Sequence, residues 1–185
     1  MIKIHELEFP EVKLLQLKVH FDDRGFFTEN YQKFLYEDMG IEVPFVQDNH
    51  SFSTKGIIRG MHFQSEPGQA KLISVIVGAI YDVFVDIRPH SPTFGKWSGY
   101  LLESEKHEQL FIPVGFAHGF AVVSEGAHVM YKVSSVFNPH TEKSFHYNDS
   151  KVGIKWPVAH PILSEKDRSA PKFNEVFCED LDFRC

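Results

Sequence analysis

Residues 81–88 constrain this chain more than any other segment. Tyr81, Val83, Val85 and Ile87 fall on one face, and Asp82, Phe84, Asp86 and Arg88 on the other. Period two is the repeat of a β-strand, whose successive side chains point to opposite faces. Just before it, residues 72–77 form a nearly continuous apolar run, broken by Gly78-Ala79. Two strands with so short a break between them predict a hairpin. The charged face of the second strand has two readings. One is a strand turned to solvent. That is the commoner case. The other is a polar barrel interior, toward which Phe84 among the polar positions tips the balance slightly.

Further strands are predicted at residues 99–102, 109–112, 119–123 and 129–133. Turn chemistry separates them: Ser91-Pro92-Thr93-Phe94-Gly95, Pro113-Val114-Gly115 and Glu125-Gly126. Many short strands with regular punctuation indicate an all-β sandwich or barrel. One helix is predicted near the start, where Tyr31, Phe34, Leu35 and Met39 follow helical spacing and Gly40 supplies a stop. The tail after Trp156 carries Pro157, Pro161 and Pro171 and is expected to wrap the barrel in short helical turns. No repeat or linker divides the chain, so residues 1–185 are expected to form one domain.

Composition narrows the function. With 43% hydrophobic and 24% charged residues, the chain can bury a core without disulfide staples. Cys178 and Cys185 both sit in the last eight residues and suggest a reducing, cytoplasmic setting. No run approaches the ~20 apolar residues of a membrane span, and the N-terminus lacks the pattern of a signal peptide. The net charge of −6 argues against general nucleic-acid binding, which needs a basic surface.

Polar residues concentrate beside glycine in four segments, around Asp22–Glu29, Gln47–Gln64, Ile112–Phe120 and Val129–Lys132. Arg59 and His62 flank Gly60 at the start of an extended stretch. Arginine presents a planar fork that suits phosphate, and Lys71 offers a point charge. A histidine with an ordinary pKa near ~6.5 suits general-base work, but His62 is one of 11 histidines, most of which must be structural. A metal site is disfavoured: no two histidines are spaced His-x-His, although His62 and His118 could converge. A nucleophile elbow, a P-loop and a dinucleotide fingerprint are absent. These residues point to acid–base chemistry with neither cofactor nor metal.

The segments also form an ordered set: Asp23-Arg24-Gly25-Phe26-Phe27-x-Glu29, Gln47-x-Asn49-x-Ser51, Arg59-Gly60-x-His62, Asp82-x-x-x-Asp86-x-Arg88, Ser91-Pro92-Thr93-Phe94-Gly95, Pro113-x-Gly115-x-x-His118-Gly119-Phe120, Tyr131-Lys132 and Leu163-Ser164-x-x-Asp167. From about Phe21 to Pro171 the chain resembles the dTDP-4-dehydrorhamnose 3,5-epimerase family of cupin-like β-barrels. The resemblance implies a cupin-like antiparallel jelly roll and a cytoplasmic homodimer. It also implies a nucleotide-linked 4-keto-6-deoxy sugar as substrate, inverted at carbons beside the ketone. The family's base falls on His62, its carboxylate partner on Asp167 and the opposing acid on Tyr131. Lys71 is the candidate for the enolate oxygen. Arg24, Glu29, Gln47, Asp48, Asn49, Arg59, His118, Glu142 and Lys166 fall at substrate-binding positions. Phe26 is expected to reach the neighbouring subunit's site.

One position departs from the family pattern. Phe137, before Asn138-Pro139, stands where the family commonly has the tyrosine that stacks on the nucleotide base. The π face is kept and the hydroxyl lost. Plainer roles stand beside several of these assignments. Tyr131 lies in phase with Val129 and Val133, as a core tyrosine would. Asp82, Asp86 and Arg88 suit either a structural charge cluster or substrate contact. Lys166 and Asp167 read on pattern alone as a surface pair.

Overall fold

The computed structural model describes residues 2–177, so Cys178 and Cys185 lie outside the described residues. The strands are β1 (Lys3–Glu6), β2 (Lys13–Gln16), β3 (Val19–Asp22), β4 (Gly25–Thr28), β5 (Gln47–Thr54), β6 (Ile58–Gln64), β7 (Lys71–Val77), β8 (Ala79–Asp86), β9 (Trp97–Glu103), β10 (Glu108–Ile112), β11 (Phe116–Val122), β12 (Gly126–Val133) and β13 (Glu142–Ser144). Three short helices accompany them: α1 (Lys33–Asp38), α2 (Glu165–Arg168) and α3 (Phe173–Val176). None is long and apolar enough to cross a membrane.

Two antiparallel sheets form the body. One has six strands in the order β1-β2-β10-β7-β12-β5, and the other five in the order β13-β6-β11-β8-β9. Their inner faces share one core. Leu14, Ile73, Leu110 and Val129 come from the first sheet, and Ile80, Phe84, Leu102 and Phe120 from the second. This is the expected all-β, cupin-like jelly roll. The four strands predicted after the hairpin are present, each starting one to three residues earlier; β9 also runs one residue longer and β11 stops one residue short, before Val123.

The predicted hairpin is not. β7 pairs with β10 and β12, whereas β8 pairs with β9 and β11, in the other sheet. Both flanks of each strand are already taken, so the break at Gly78 carries the chain from one sheet to the other. Gly78 suits the crossing: its φ is +84°, and a Cβ there would lie 2.1 Å from the Gly126 carbonyl oxygen. The apolar run in β7 has a matching cause over its first half, where both faces are buried, while Ile76 and Val77 at its end are exposed. Ile73 and Val75 face the shared core, while Leu72 faces a cluster built with Tyr36 and Ile41 under α1.

β8 takes the interior reading of its charged face. Asp82, Phe84 and Asp86 are all buried, while Val83, Val85 and Ile87 join a second cluster on the outer side of the five-stranded sheet. The tail covers that cluster, as expected, with Phe173 of α3 fully inserted. Asp149 anchors it by accepting hydrogen bonds from the Phe173, Lys151 and Val152 backbone N–H groups. The early helix differs in detail. α1 has only six residues, its buried member is Tyr36, and Phe34 turns to solvent.

A bulge in β6 decides which side chains face inward. In the β6–β11 pairing, His62 sits opposite His118 and Arg59 opposite Phe120. Two residues of β6, Gly60 and Met61, thus lie across from Gly119 alone. Arg59 and His62, three positions apart, would otherwise point to opposite faces. The bulge brings the strands together where neither has a side chain. A Cβ on Gly60 would lie 2.6 Å from Gly119 Cα, and one on Gly119 would lie 2.8 Å from the Arg59 oxygen. Gly119→Ala is therefore expected to cost about 1–3 kcal/mol, the usual range for overpacking. Thermal denaturation measures it, and an unchanged melting temperature would show that the strands do not approach this closely.

Candidate active site

A cavity of about 420 Å³ opens between the two sheets. The five-stranded sheet contributes Arg59, His62, Phe63 and Gln64 from β6, His118 and Phe120 from β11, and Glu142 from β13. The six-stranded sheet contributes Gln47 and Asn49 from β5, Lys71 from β7 and Tyr131 from β12. Gln69 and Phe137 come from loops at the rim. His62 and Tyr131 thus enter one cavity from opposite sheets.

His62 is held from behind. Its Nε2 lies 2.6 Å from Asp167 Oδ1, and the Asp167 side chain is only 5% exposed. Ser164 caps α2 by accepting from the Asp167 backbone N–H at 3.1 Å, which places the carboxylate beneath the strand. Burial pushes the Asp167 carboxyl up, but hydrogen bonding and the charge of His62, with help from Ser164 and the Gly60 N–H, hold it below its ordinary value. An ionised Asp167 accepting from Nε2–H leaves Nδ1 as the ring nitrogen able to take a proton.

A second pair lies deeper. His118 Nε2 is 2.8 Å from Asp82 Oδ2, and both side chains are buried. Burial is the main force lowering the His118 pKa, so this imidazole is neutral at neutral pH. Lys71 is buried as well, and desolvation drives its ammonium down to about 8. Tyr131 is pushed up, mainly by burial, and keeps its proton at neutral pH. Arg59 donates from Nε to Ser53 Oγ at 2.9 Å, which steadies the guanidinium at the cavity wall.

The rim is organised by polar contacts. Gln47 Nε2 donates to Asn49 Oδ1 at 2.7 Å, and the Phe137 N–H donates to Gln47 Oε1 at 3.1 Å. The Phe137 ring is left 53% exposed at the entrance. Lys166 of α2 forms an ion pair with Glu142, so it reaches the site through that carboxylate.

Nine of the residues singled out in the sequence line this cavity: His62, Tyr131, Lys71, Gln47, Asn49, Arg59, His118, Phe137 and Glu142. Asp167 and Lys166 stand directly behind it. Asp48 does not line it. The alternation of β5 turns Gln47 and Asn49 inward and Asp48 outward, where it pairs with Lys132 at 2.8 Å. Arg24, Phe26 and Glu29 also stay out of the cavity of their own chain. Arg24 pairs with Asp22 in the β3–β4 turn, Phe26 packs against His107, and Glu29 is exposed just beyond β4. Asp86 and Arg88 form a structural knot with Ser91, Thr93 and Glu11, away from Asp82. Phe63, Gln64, Gln69 and Phe120 were missed. The spacing of Gln64 from His62 carried a signal, whereas Gln69 sits in a loop with none. Among the described residues, no group of three or more His, Cys, Asp and Glu side chains converges as metal ligands.

The profile of the dTDP-4-dehydrorhamnose 3,5-epimerase family matches residues 6–175. The chain is 47% identical over 174 residues to the dTDP-4-dehydrorhamnose 3,5-epimerase of Shigella flexneri, covering 93% of this chain and 96% of that one. Among solved structures, it resembles the dTDP-6-deoxy-D-glucose-3,5-epimerase of Legionella pneumophila in complex with dTDP-4-keto-L-rhamnose. That match has a TM-score of 0.93 at 44% identity and covers 97% of this chain and 96% of the other. The Bacillus anthracis dTDP-4-dehydrorhamnose 3,5-epimerase, with TDP and PPi bound, matches with a TM-score of 0.90 at 48% identity, over 93% and 99% of the two chains. With the family profile spanning nearly the whole fold and relatives this similar, the chain belongs to the dTDP-4-dehydrorhamnose 3,5-epimerase family.

Proposed function

We propose that this protein inverts C3 and C5 of a dTDP-linked 4-keto-6-deoxy sugar, as a cytoplasmic homodimer. The observation that carries the reading is the placement of His62, backed by Asp167, and Tyr131 on opposite walls of one cavity, with Lys71 buried between the sheets. A carbon beside a ketone loses its proton because the electron pair moves onto the carbonyl oxygen as an enolate. His62 Nδ1 takes that proton, and Asp167 supports the imidazolium. The Lys71 ammonium stabilises the enolate oxygen in a water-poor site. The enolate then collapses, and Tyr131 gives its phenolic proton to the carbon from the other side, inverting it. Proton exchange with solvent restores neutral His62 and protonated Tyr131. The sequence runs once at each carbon. Arg59 suits the diphosphate, and the exposed Phe137 ring suits stacking on the base.

The dimer rests on the β3–β4 hairpin. Phe21, Phe26 and Phe27 are 73%, 58% and 66% exposed, and Phe21 and Phe26 lie side by side across the hairpin, exposed aromatic surface of the kind found at interaction sites. Arg24, Phe26 and Glu29 then complete the cavity of the neighbouring subunit rather than their own.

Three outcomes are expected. His62→Ala lowers solvent-deuterium exchange into the sugar by about 10²–10⁴-fold with an unchanged circular dichroism spectrum; near-normal exchange would remove His62 from the mechanism. Tyr131→Phe keeps exchange, because His62 still removes a proton and returns a deuteron to the same face, while epimer formation collapses. Paired NMR time courses separate the two, and wild-type inversion in that variant would make Tyr131 a packing residue. Finally, Arg24→Ala and His62→Ala subunits, each nearly inactive alone, regain activity when refolded together. In the mixed dimer one site combines an intact cavity with an intact hairpin. No recovery in dimers shown by mass spectrometry to be mixed would place Arg24 in its own chain's site.

A further inference from the structure

Two buried groups lie at or just behind the cavity wall: Lys71, which lines it, and Asp82, which stands behind His118. Asp82 on β8 is wholly buried, and only one of its oxygens is occupied. Oδ2 accepts from His118, while Oδ1 has no hydrogen-bond partner. The Lys71 side chain is buried and, among the described residues, makes no hydrogen bond or ion pair. A buried ammonium and a half-satisfied buried carboxylate are each costly alone and offset one another when close.

The charged and titratable groups around Lys71 come from five strands: His118 from β11, His62 and Arg59 from β6, Tyr131 from β12 and Glu142 from β13 line the cavity with it, and Asp82 from β8 stands behind His118 with its charge acting on Lys71. Two of them are carboxylates. Glu142 is already paired with Lys166, which leaves Asp82. Asp82 is also the foremost of the two charges that oppose the burial of Lys71. His118 and Tyr131 are neutral near pH 7, for burial disfavours the charged form of both.

We propose that Asp82 is a positioning residue of the epimerase: its carboxylate keeps the Lys71 side chain charged and aimed into the cavity, while its other oxygen fixes the tautomer of His118. The proposal deepens the reading of Lys71 as the cation at the enolate oxygen and rests on it for its catalytic consequence. Asp82 touches no substrate in this scheme; it acts through Lys71 and His118. The sign of the effect follows. An ammonium is lost as pH rises through its pKa, so the exchange rate should fall above about pH 8 in the wild type. Without the Asp82 charge that pKa drops, and the fall begins at lower pH.

The test is Asp82→Asn, which keeps the shape and can still accept from His118 Nε2–H. The Lys71 side chain is titrated by NMR in substrate-free protein carrying ¹³C-labelled lysine, with its signal assigned from Lys71→Arg. The expected result is a Lys71 pKa lower by at least about one unit in Asp82→Asn. A smaller change is expected in Glu142→Gln and almost none in Asp82→Glu. An unmoved Lys71 pKa in Asp82→Asn overturns the proposal. If Asp82→Asn does not fold, Asp82→Ser carries the same comparison. Deuterium exchange measured across pH then addresses the reaction separately. A titration that moves with an alkaline limb that does not would uphold the Asp82–Lys71 coupling and remove Lys71 from the chemistry.

Discussion

The approach of Gly60 to Gly119 is the contact on which this site depends. A strand buried on both faces must divide its side chains strictly, and β6 does so on either side of its bulge. Met61 packs outward into the cluster that the tail covers, while His62 and Gln64 turn inward. Without the extra residue, Arg59 would fall on the outer face whenever His62 fell on the inner one. The guanidinium and the imidazole would then lie on opposite sides of a sheet. The two glycines let the backbones come close enough for the phase to slip without breaking the pairing.

Within the cavity thus formed, two histidines lie directly opposite each other on neighbouring strands, each with its own aspartate. Their surroundings set them apart. The His62 side chain is 28% exposed, and among the described residues only its Nε2 is hydrogen-bonded, as the proposed base requires. His118 is buried with Asp82 beside an unpaired lysine, in a setting that shapes charge rather than moving protons. Similar dyads one strand apart therefore suit different tasks, and the difference lies in burial and in the neighbouring cation. The third acidic cluster, around Asp86, is structural. Burial opposes its ionisation, yet hydrogen bonds from Arg88, Ser91 and Thr93 hold the carboxyl down to about 2, so it is charged at neutral pH.

Much of this was legible in the sequence because strands announce themselves locally. The alternation of residues 81–88 located β8 and its two faces, and glycine and proline turns located β9 to β12. Pairing was not legible, since a break at Gly78 is compatible with a hairpin or with a crossing between sheets. The choice depends on which edges are already occupied, which is a property of the whole fold. The polar face of β8 was ambiguous for the same reason, since Asp82 alone does not reveal that His118 and Lys71 await it. Asp48 shows the limit of motif reading: it sits between two cavity residues, yet period two turns it outward. Gln69 carried no periodic signal at all, because its place comes from a loop tied by a hydrogen bond to the Ser135 carbonyl.

The position of Asp167 ties the chemistry to the last part of the described chain. The barrel alone supplies the proposed base, acid and cation, but the carboxylate bonded to the proposed base arrives on α2, after all the strands. It reaches His62 because a bridge between Ile57 and Ile162 leads the tail along β6, and because Ser164 stops the chain and starts the helix. Farther on, Phe173 enters the outer cluster, and its N–H bonds to Asp149, which fixes the tail from the other end. The segment bearing Asp167 is thus held on both sides by contacts that have nothing to do with substrate. A carboxylate on a loose segment would lose entropy each time it met the imidazole and would leave Nδ1 and Nε2 free to exchange roles. Seated this way, it favours one tautomer of His62 before any ligand arrives, and the preorganisation of the proposed base becomes a consequence of how the tail packs.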